Sequence, residues 1–175
     1  MRNIGAFLLL GQKERSHELL NFFLKDQRPP GWNHWAEVVW RNPQEPKLIG
    51  DKPHTWVGSD FFRAIRNMFV YERESDSMLV FGAGILEAWL NQPAGIEVRG
   101  LATHYGTVSY SMKKSGQSLA VNIWGKMHFP EGKIILKSPR AGGIKSVQIN
   151  GKSSNMFKPD EVQIDEFPTN MILYY

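Results

Sequence analysis

The sequence predicts an α+β protein: an N-terminal helical segment followed by an antiparallel β-sandwich. Apolar residues recur at helical spacing as far as Asp26 and again after Thr55, whereas from Ile96 onward short alternating stretches are separated by turn residues. Between the helical regions, Pro43, Pro46 and Pro53 exclude a long regular element. The change of texture near residue 96 predicts two parts, a helical segment over 1–95 with a tryptophan-rich loop at 28–56, and a sandwich over 96–175.

The first elements predicted are two helices, Asn3 to Leu10 and Gln12 to Asp26, with Ile4, Phe7 and Leu8 on the apolar face of one and Leu19, Leu20, Phe23 and Leu24 on that of the other. Gly11 between them is the expected stop, which makes the pair a hairpin. Arg28-Pro29-Pro30-Gly31 closes it. A third helix is expected from Thr55 or Ser59 to between Glu72 and Asp76, with Phe62, Ile65, Arg66, Phe69 and Val70 on one side. Met78 to Phe81 reads as a short strand and Ile85 to Leu90 as one or two helical turns. Seven strands follow: 96–99, 106–112, 118–124, 133–136, 144–149, 161–164 and 171–175. Lys114-Ser115-Gly116, Pro130-Glu131-Gly132, Ala141-Gly142-Gly143 and Asn150-Gly151 mark turns between them, Asn-Gly being the strongest hairpin signal. The last strand runs to Tyr175 and predicts a finished domain end. The N-terminal helices offer apolar faces to no evident partner and predict either packing on the sandwich or membership of a larger helical array.

Composition narrows the function classes. With 42% hydrophobic residues the chain can form a core, and no run reaches the ~20 apolar residues that span a bilayer. Ile4 to Leu10 after Arg2 also fits the start of a short export signal, but no small-residue cleavage site precedes Lys13. There is no cysteine, which excludes disulfides, thiolate catalysis and Cys-ligated metals and leaves the compartment open. The net charge of +4 is uneven: residues 1–96 carry 11 basic and 11 acidic side chains, whereas 97–175 carry 10 and 6. The lysines responsible are spaced along turns and edges, so no nucleic-acid partner is expected, and no membrane partner either. The scattered histidines lack ligand spacing and predict no metal, and Gly82-Ala83-Gly84 fails as a dinucleotide site because Glu87 replaces the third glycine. No cofactor is expected.

The segment Gln27 to Phe62 holds four of the six tryptophans, two of the five histidines and Glu37. A carboxylate among flat aromatic faces suits sugar chemistry, because the aromatic walls exclude water and stack on the C–H face of a pyranose. Glu37 is the candidate catalytic base, with Trp32, His34, Trp35, His54 and Trp56 as candidate substrate-binding residues. Each has a plainer reading. Glu37 can pair with Arg41 or bind loop backbone, the tryptophans can pack in a core, and His54 can belong to a helix start whose N-cap is Thr55.

Taken together, the hairpin, Gly31-Trp32-Asn33-His34-Trp35-Ala36-Glu37, Pro53-His54-Thr55-Trp56, Met78-Leu79-Val80 with Gly82-Ala83-Gly84-Ile85, Trp89-Leu90 and the closing sandwich resemble the C-terminal end of a six-hairpin glycosidase of the glucoamylase-like superfamily. The resemblance implies that residues 1–95 are the last hairpins of an (α/α) toroid and that Glu37 holds the base position, with Thr55-Trp56 opening the next helix. It implies an oligosaccharide or glycan ligand. The general acid would come from an earlier hairpin, so the chain is expected to be a C-terminal fragment of a glycoside hydrolase, inactive alone, that completes its site with the N-terminal part of the barrel. A non-catalytic carbohydrate-binding module and an interaction domain are the alternatives.

Overall fold

A computed structural model describes residues 1–28, 31–42 and 49–175. The expectations at Pro29, Pro30, Pro43 and Pro46 lie outside the described residues. The fold is α+β, a helical segment followed by two packed β-sheets. The compact units are Met1–Asn67 and Met68–Tyr175.

In the first unit, α1 (Arg2–Leu9) and α2 (Lys13–Lys25) are joined as expected around Gly11, whose φ is +71°. The Gly11 and Gln12 amides donate to the Leu8 and Phe7 carbonyls at 3.0 and 2.8 Å, a Schellman closure that needs a residue tolerant of positive φ. Ser16 Oγ ties the helices together by donating to the Ile4 carbonyl at 2.8 Å.

The α1 face is the one the apolar spacing predicts, with Ile4 and Leu8 buried, whereas the α2 and α3 faces follow it only in part. α2 buries Ser16, His17 and Leu20, while Phe22 and Leu24 are exposed. In α3 (Thr55–Phe69) the buried positions are Ala64 and Met68, one turn apart, and Phe62 is 71% exposed. The reason is a small-residue contact: a Cβ on Gly5 of α1 would stand 4.0 Å from the Ala64 Cα. Close backbone approach at Ala64 leaves Phe62, two positions back and about 200° around the helix, pointing away.

In the second unit one sheet has the order β1-β2-β6-β10-β9, with β1 at Val70–Arg73, β2 at Met78–Phe81, β6 at Ile134–Lys137, β10 at Glu161–Ile164 and β9 at Phe157–Lys158. The other has the order β3-β4-β5-β11-β7-β8, comprising Ile96–Thr103, Gly106–Ser115, Ser118–Met127, Thr169–Tyr174, Ser146–Ile149 and Lys152–Ser154. Pairing is antiparallel except between β2 and β6, which run parallel. The inner faces share one core that includes Phe81, Tyr110, Leu119, Ile134, Val162 and Leu173. Leu79-Val80-Phe81 and Ile134-Ile135-Leu136 are apolar without alternation because both faces are covered, with Val80 and Ile135 joining Tyr71 on the second side.

The compact units meet between Asn67 and Met68, whereas the sequence texture changes at residue 96. Val70–Arg73, read from periodicity as the end of the third helix, is instead strand β1, paired from Val70 with Phe81 to Arg73 with Met78. β-Branched and aromatic residues there gain a ladder that a helix end would not give them. β8 and β9 go beyond the seven strands expected after Ile96. Asn150-Gly151 makes the predicted β7–β8 turn, with φ of 49° and 79°.

At one edge, Lys137 bonds Glu161 at 2.7 Å and Asp160 at 3.0 Å, and Lys158 bonds Glu161 at 2.8 Å. Burial pushes the Glu161 carboxyl up, but the two lysines outweigh it and hold the group below its ordinary value. Its stabilising effect is therefore complete above the unfolded carboxylate value of about 4.3 and is lost as pH falls through the folded value. Glu161→Gln is expected to cost about 1–2 kcal/mol at neutral pH and to flatten the fall in urea midpoint on acidification. An unchanged acid slope would show that other carboxylates carry it.

Candidate functional site

The tryptophan-rich segment is built as a two-stranded arm. Val39 bridges Ile49, the Gly50 amide donates to the Val38 carbonyl at 2.9 Å, the Glu37 amide to Asp51 at 3.2 Å and the His54 amide to Trp35 at 2.8 Å. Gly50 fits because an added Cβ would lie 3.0 Å from Val38 Cγ2 and 3.2 Å from the Val38 nitrogen. Two side chains at the end of α2 fasten the arm: Gln27 Nε2 donates to the His34 carbonyl at 3.2 Å, and Arg28 Nη1 to the Trp40 carbonyl at 2.6 Å. Arg28 is held in turn by Asp26 at 2.6 Å, so the α2 terminus fixes the arm through charge-assisted hydrogen bonds.

Arm and helices enclose a cavity of about 580 Å³ within the first unit, walled by Phe22, His34, Trp35, Glu37, Trp40 and Asp60 among others. The volume lies in the range of small-ligand sites. Three acidic residues line it. Asp26 is paired with Arg28, and Asp60 accepts from Arg2 Nε at 2.7 Å. Glu37 is exposed, and among the described residues its carboxylate takes neither Arg41 nor any other partner. Trp35 is steadied by the Phe61 ring, 5.0 Å away centroid to centroid.

The cavity therefore brings together three of the six sequence-selected residues, His34, Trp35 and Glu37. Trp32, His54 and Trp56 are not on its wall. The Lys52 ammonium stands 5.4 Å from the Trp32 ring, and the Arg2 guanidinium 5.4 Å from the Trp56 ring. His54 Nδ1 accepts the Val57 amide at 3.4 Å, so the residue capping α3 is His54 and not Thr55, which is the first helical residue. Asp26, Arg28, Phe22 and Asp60 were not selected from sequence. They come from helix ends and faces, and only the closing of the arm makes them wall residues. Among the described residues no group of three or more His, Asp or Glu is placed to hold a metal, and no helix is long and apolar enough to cross a membrane.

No family model matches the chain, and no curated protein matches it. Three solved chains match. One is the crystal structure of a GH127 beta-L-arabinofuranosidase from Geobacillus stearothermophilus T6, with 12% identity and a TM-score of 0.38 over 67% of this chain and 18% of that one. The present chain thus spans about 18% of that enzyme's length. A likeness this distant assigns neither family nor activity.

Proposed function

We propose that the chain is the C-terminal part of a six-hairpin glycoside hydrolase, and that its cavity holds a glycan against Trp35, Trp40 and His34 with Glu37 as the catalytic base. The observation that carries the reading is that Glu37, whose carboxylate takes no partner among the described residues, lines the same cavity as Trp35 and Trp40. An exposed carboxylate facing a water-sized gap beside a sugar can take a proton from the attacking water as it adds to the anomeric carbon.

Hydrolysis also needs an acid for the departing oxygen. Asp26 and Asp60 are engaged by Arg28 and Arg2, an arrangement that anchors the wall. The acid in this reading comes from a preceding hairpin outside the present sequence, and the helices within residues 1–67 belong to the last hairpins of the toroid. On its own the chain binds sugar without turning it over. Trp32, His54 and Trp56 would then contact the glycan outside the cavity.

The test is calorimetric titration with neutral oligosaccharides, together with turnover measured when the N-terminal part of the barrel is supplied. Glu37→Gln is expected to leave affinity within about twofold and to reduce turnover by about 10²–10⁴-fold. Loss of affinity without a turnover defect would make Glu37 a binding residue, which is the carbohydrate-binding-module reading. Absence of saturable binding in the parent, with Trp40→Ala indistinguishable from it, would remove the glycan from the cavity altogether.

A further inference from the structure

We infer that the outer face of the six-stranded sheet is a second glycan site, shaped for a linear, uncharged oligosaccharide lying along β5 and β11. β5 and β11 alternate over this stretch: Val121, Ile123, Met171 and Leu173 are buried in the core, so Asn122, Trp124, Asn170, Ile172 and Tyr174 face outward, and all five are exposed.

Register fixes how these groups are laid out. Ser111 pairs with Asn122 and Asn122 with Asn170, which makes one row of hydroxyl and amides across three strands. Asn122 Nδ2 donates to Ser111 Oγ at 3.3 Å, which leaves amide donors and acceptors turned toward solvent. Ala120, Ile172 and Gln148 form the next row. The aromatic rings stand at opposite ends. Trp124 is beside Ser109, and Tyr174 lies between Ser118 and Ser146. Six residues of β5 separate the Trp124 end from the Tyr174 end, a span of about 20 Å at strand rise. That is the length of a short oligosaccharide and not of one ring.

Charge selects the ligand class. Among the described residues, the outward positions of β4, β5, β11 and β7 include no acidic side chain and only Lys113 and Lys126, one on the β4 side and one beyond Trp124, while on the β3 edge Glu97 pairs with Ser111 and is neutralised by Arg99. Two lysines are too few to gather a polyanion, whose binding scales with the number of phosphates or carboxylates neutralised. Nor does the face suit another protein, because Trp124, Ile172 and Tyr174 are separated by polar rows where a protein interface needs a contiguous apolar centre. Isolated aromatic platforms joined by amides and hydroxyls complement the alternating C–H faces and hydroxyl edges of a neutral sugar chain.

Calorimetry on the full chain, with neutral linear β-linked tetra- and pentasaccharides of glucose, xylose, mannose and galactose as probes, tests the site. Saturable binding is expected with little change between low and high salt. Trp124→Ala and Tyr174→Ala should each weaken about tenfold the binding that remains in a Trp40→Ala background, where the cavity no longer contributes. Each replaced side chain is more than a third exposed, and far-UV circular dichroism should match the parent. Binding lost only in Trp40→Ala belongs to the cavity and overturns the sheet-face site. So does the absence of binding to every probe, or a dimer in sedimentation that Trp124→Ala dissolves.

Discussion

Replacing Gly132 by alanine is expected to lower the stability of the second unit by about 3 kcal/mol or more, because the new methyl has nowhere to go. A Cβ at that position would lie 1.8 Å from the Asp76 carbonyl oxygen, 2.6 Å from the Ser77 carbonyl carbon and 2.8 Å from the Met78 nitrogen. All three are backbone atoms, so no rotamer change relieves the clash. The same spot carries two ladder bonds, Gly132 N–H to Ser77 at 3.2 Å and Leu79 N–H to the Lys133 carbonyl at 3.1 Å. Relief by backbone movement would therefore break the start of the parallel β2–β6 pair. Gly142 is the control: its added Cβ meets nothing within 4 Å, and its φ lies outside the left-handed region. Gly142→Ala should be neutral or stabilise by about 0.4–1 kcal/mol. Urea midpoints followed by circular dichroism separate the two, and equal midpoints for Gly132→Ala and the parent would contradict the close passage of the β1–β2 connection.

Tyr110→Ala is expected to cost about 3–5 kcal/mol, the range for emptying an aromatic site in a close-packed core. Tyr110 is fully buried and meets the Phe81 ring edge-on at 5.4 Å. Its hydroxyl donates to the Phe69 carbonyl at 3.1 Å, an oxygen that also accepts the Gly82 amide at 2.9 Å. Tyr110→Phe keeps the volume and leaves that carbonyl one of its two bonds, so about 0.5–1.5 kcal/mol is expected. Burial pushes the phenol's ionisation far above that of an ordinary tyrosine, and burial pushes Tyr71 and Tyr175 up as well. The unfolded chain releases these protons near pH 10 while the native state holds them, so stability falls as pH rises above about 10. Tyr110→Phe should make that alkaline fall shallower without abolishing it. A parent and variant with parallel alkaline slopes would mean that Tyr110 titrates freely.

How much was legible depended on whether a signal was local. The Gly11 helix stop, the Asn150-Gly151 hairpin and strand Glu161–Ile164 fall where the residues predict, since φ preference and alternation act within a few positions. Strand β1 was not legible, because Val70–Arg73 continues a helical spacing and becomes a strand only through its partner Met78–Phe81. The α3 face failed for a related reason: Phe62 is more apolar than Ala64, yet a close helix contact selects the smaller residue. Within the tryptophan-rich segment, composition singled out Glu37, Trp35 and His34, and the fold lines one cavity with them. It could not separate them from Trp32 and Trp56, which lie in the same stretch and stand under cations elsewhere.

By itself the sequence determined the α+β class, the order of helices before strands, most turns and the aromatic segment from which His34, Trp35 and Glu37 line a cavity. These depend on residue-level preferences that neighbours along the chain already satisfy. The tertiary structure alone decided that Met68 begins the second unit, that Gly132 must lack a side chain, that Asp26 and Asp60 are spoken for by arginines, and that Asn122, Trp124, Asn170 and Tyr174 share one outer sheet face. Each of those is a meeting of groups far apart in sequence, and it exists only once the backbone has brought them together.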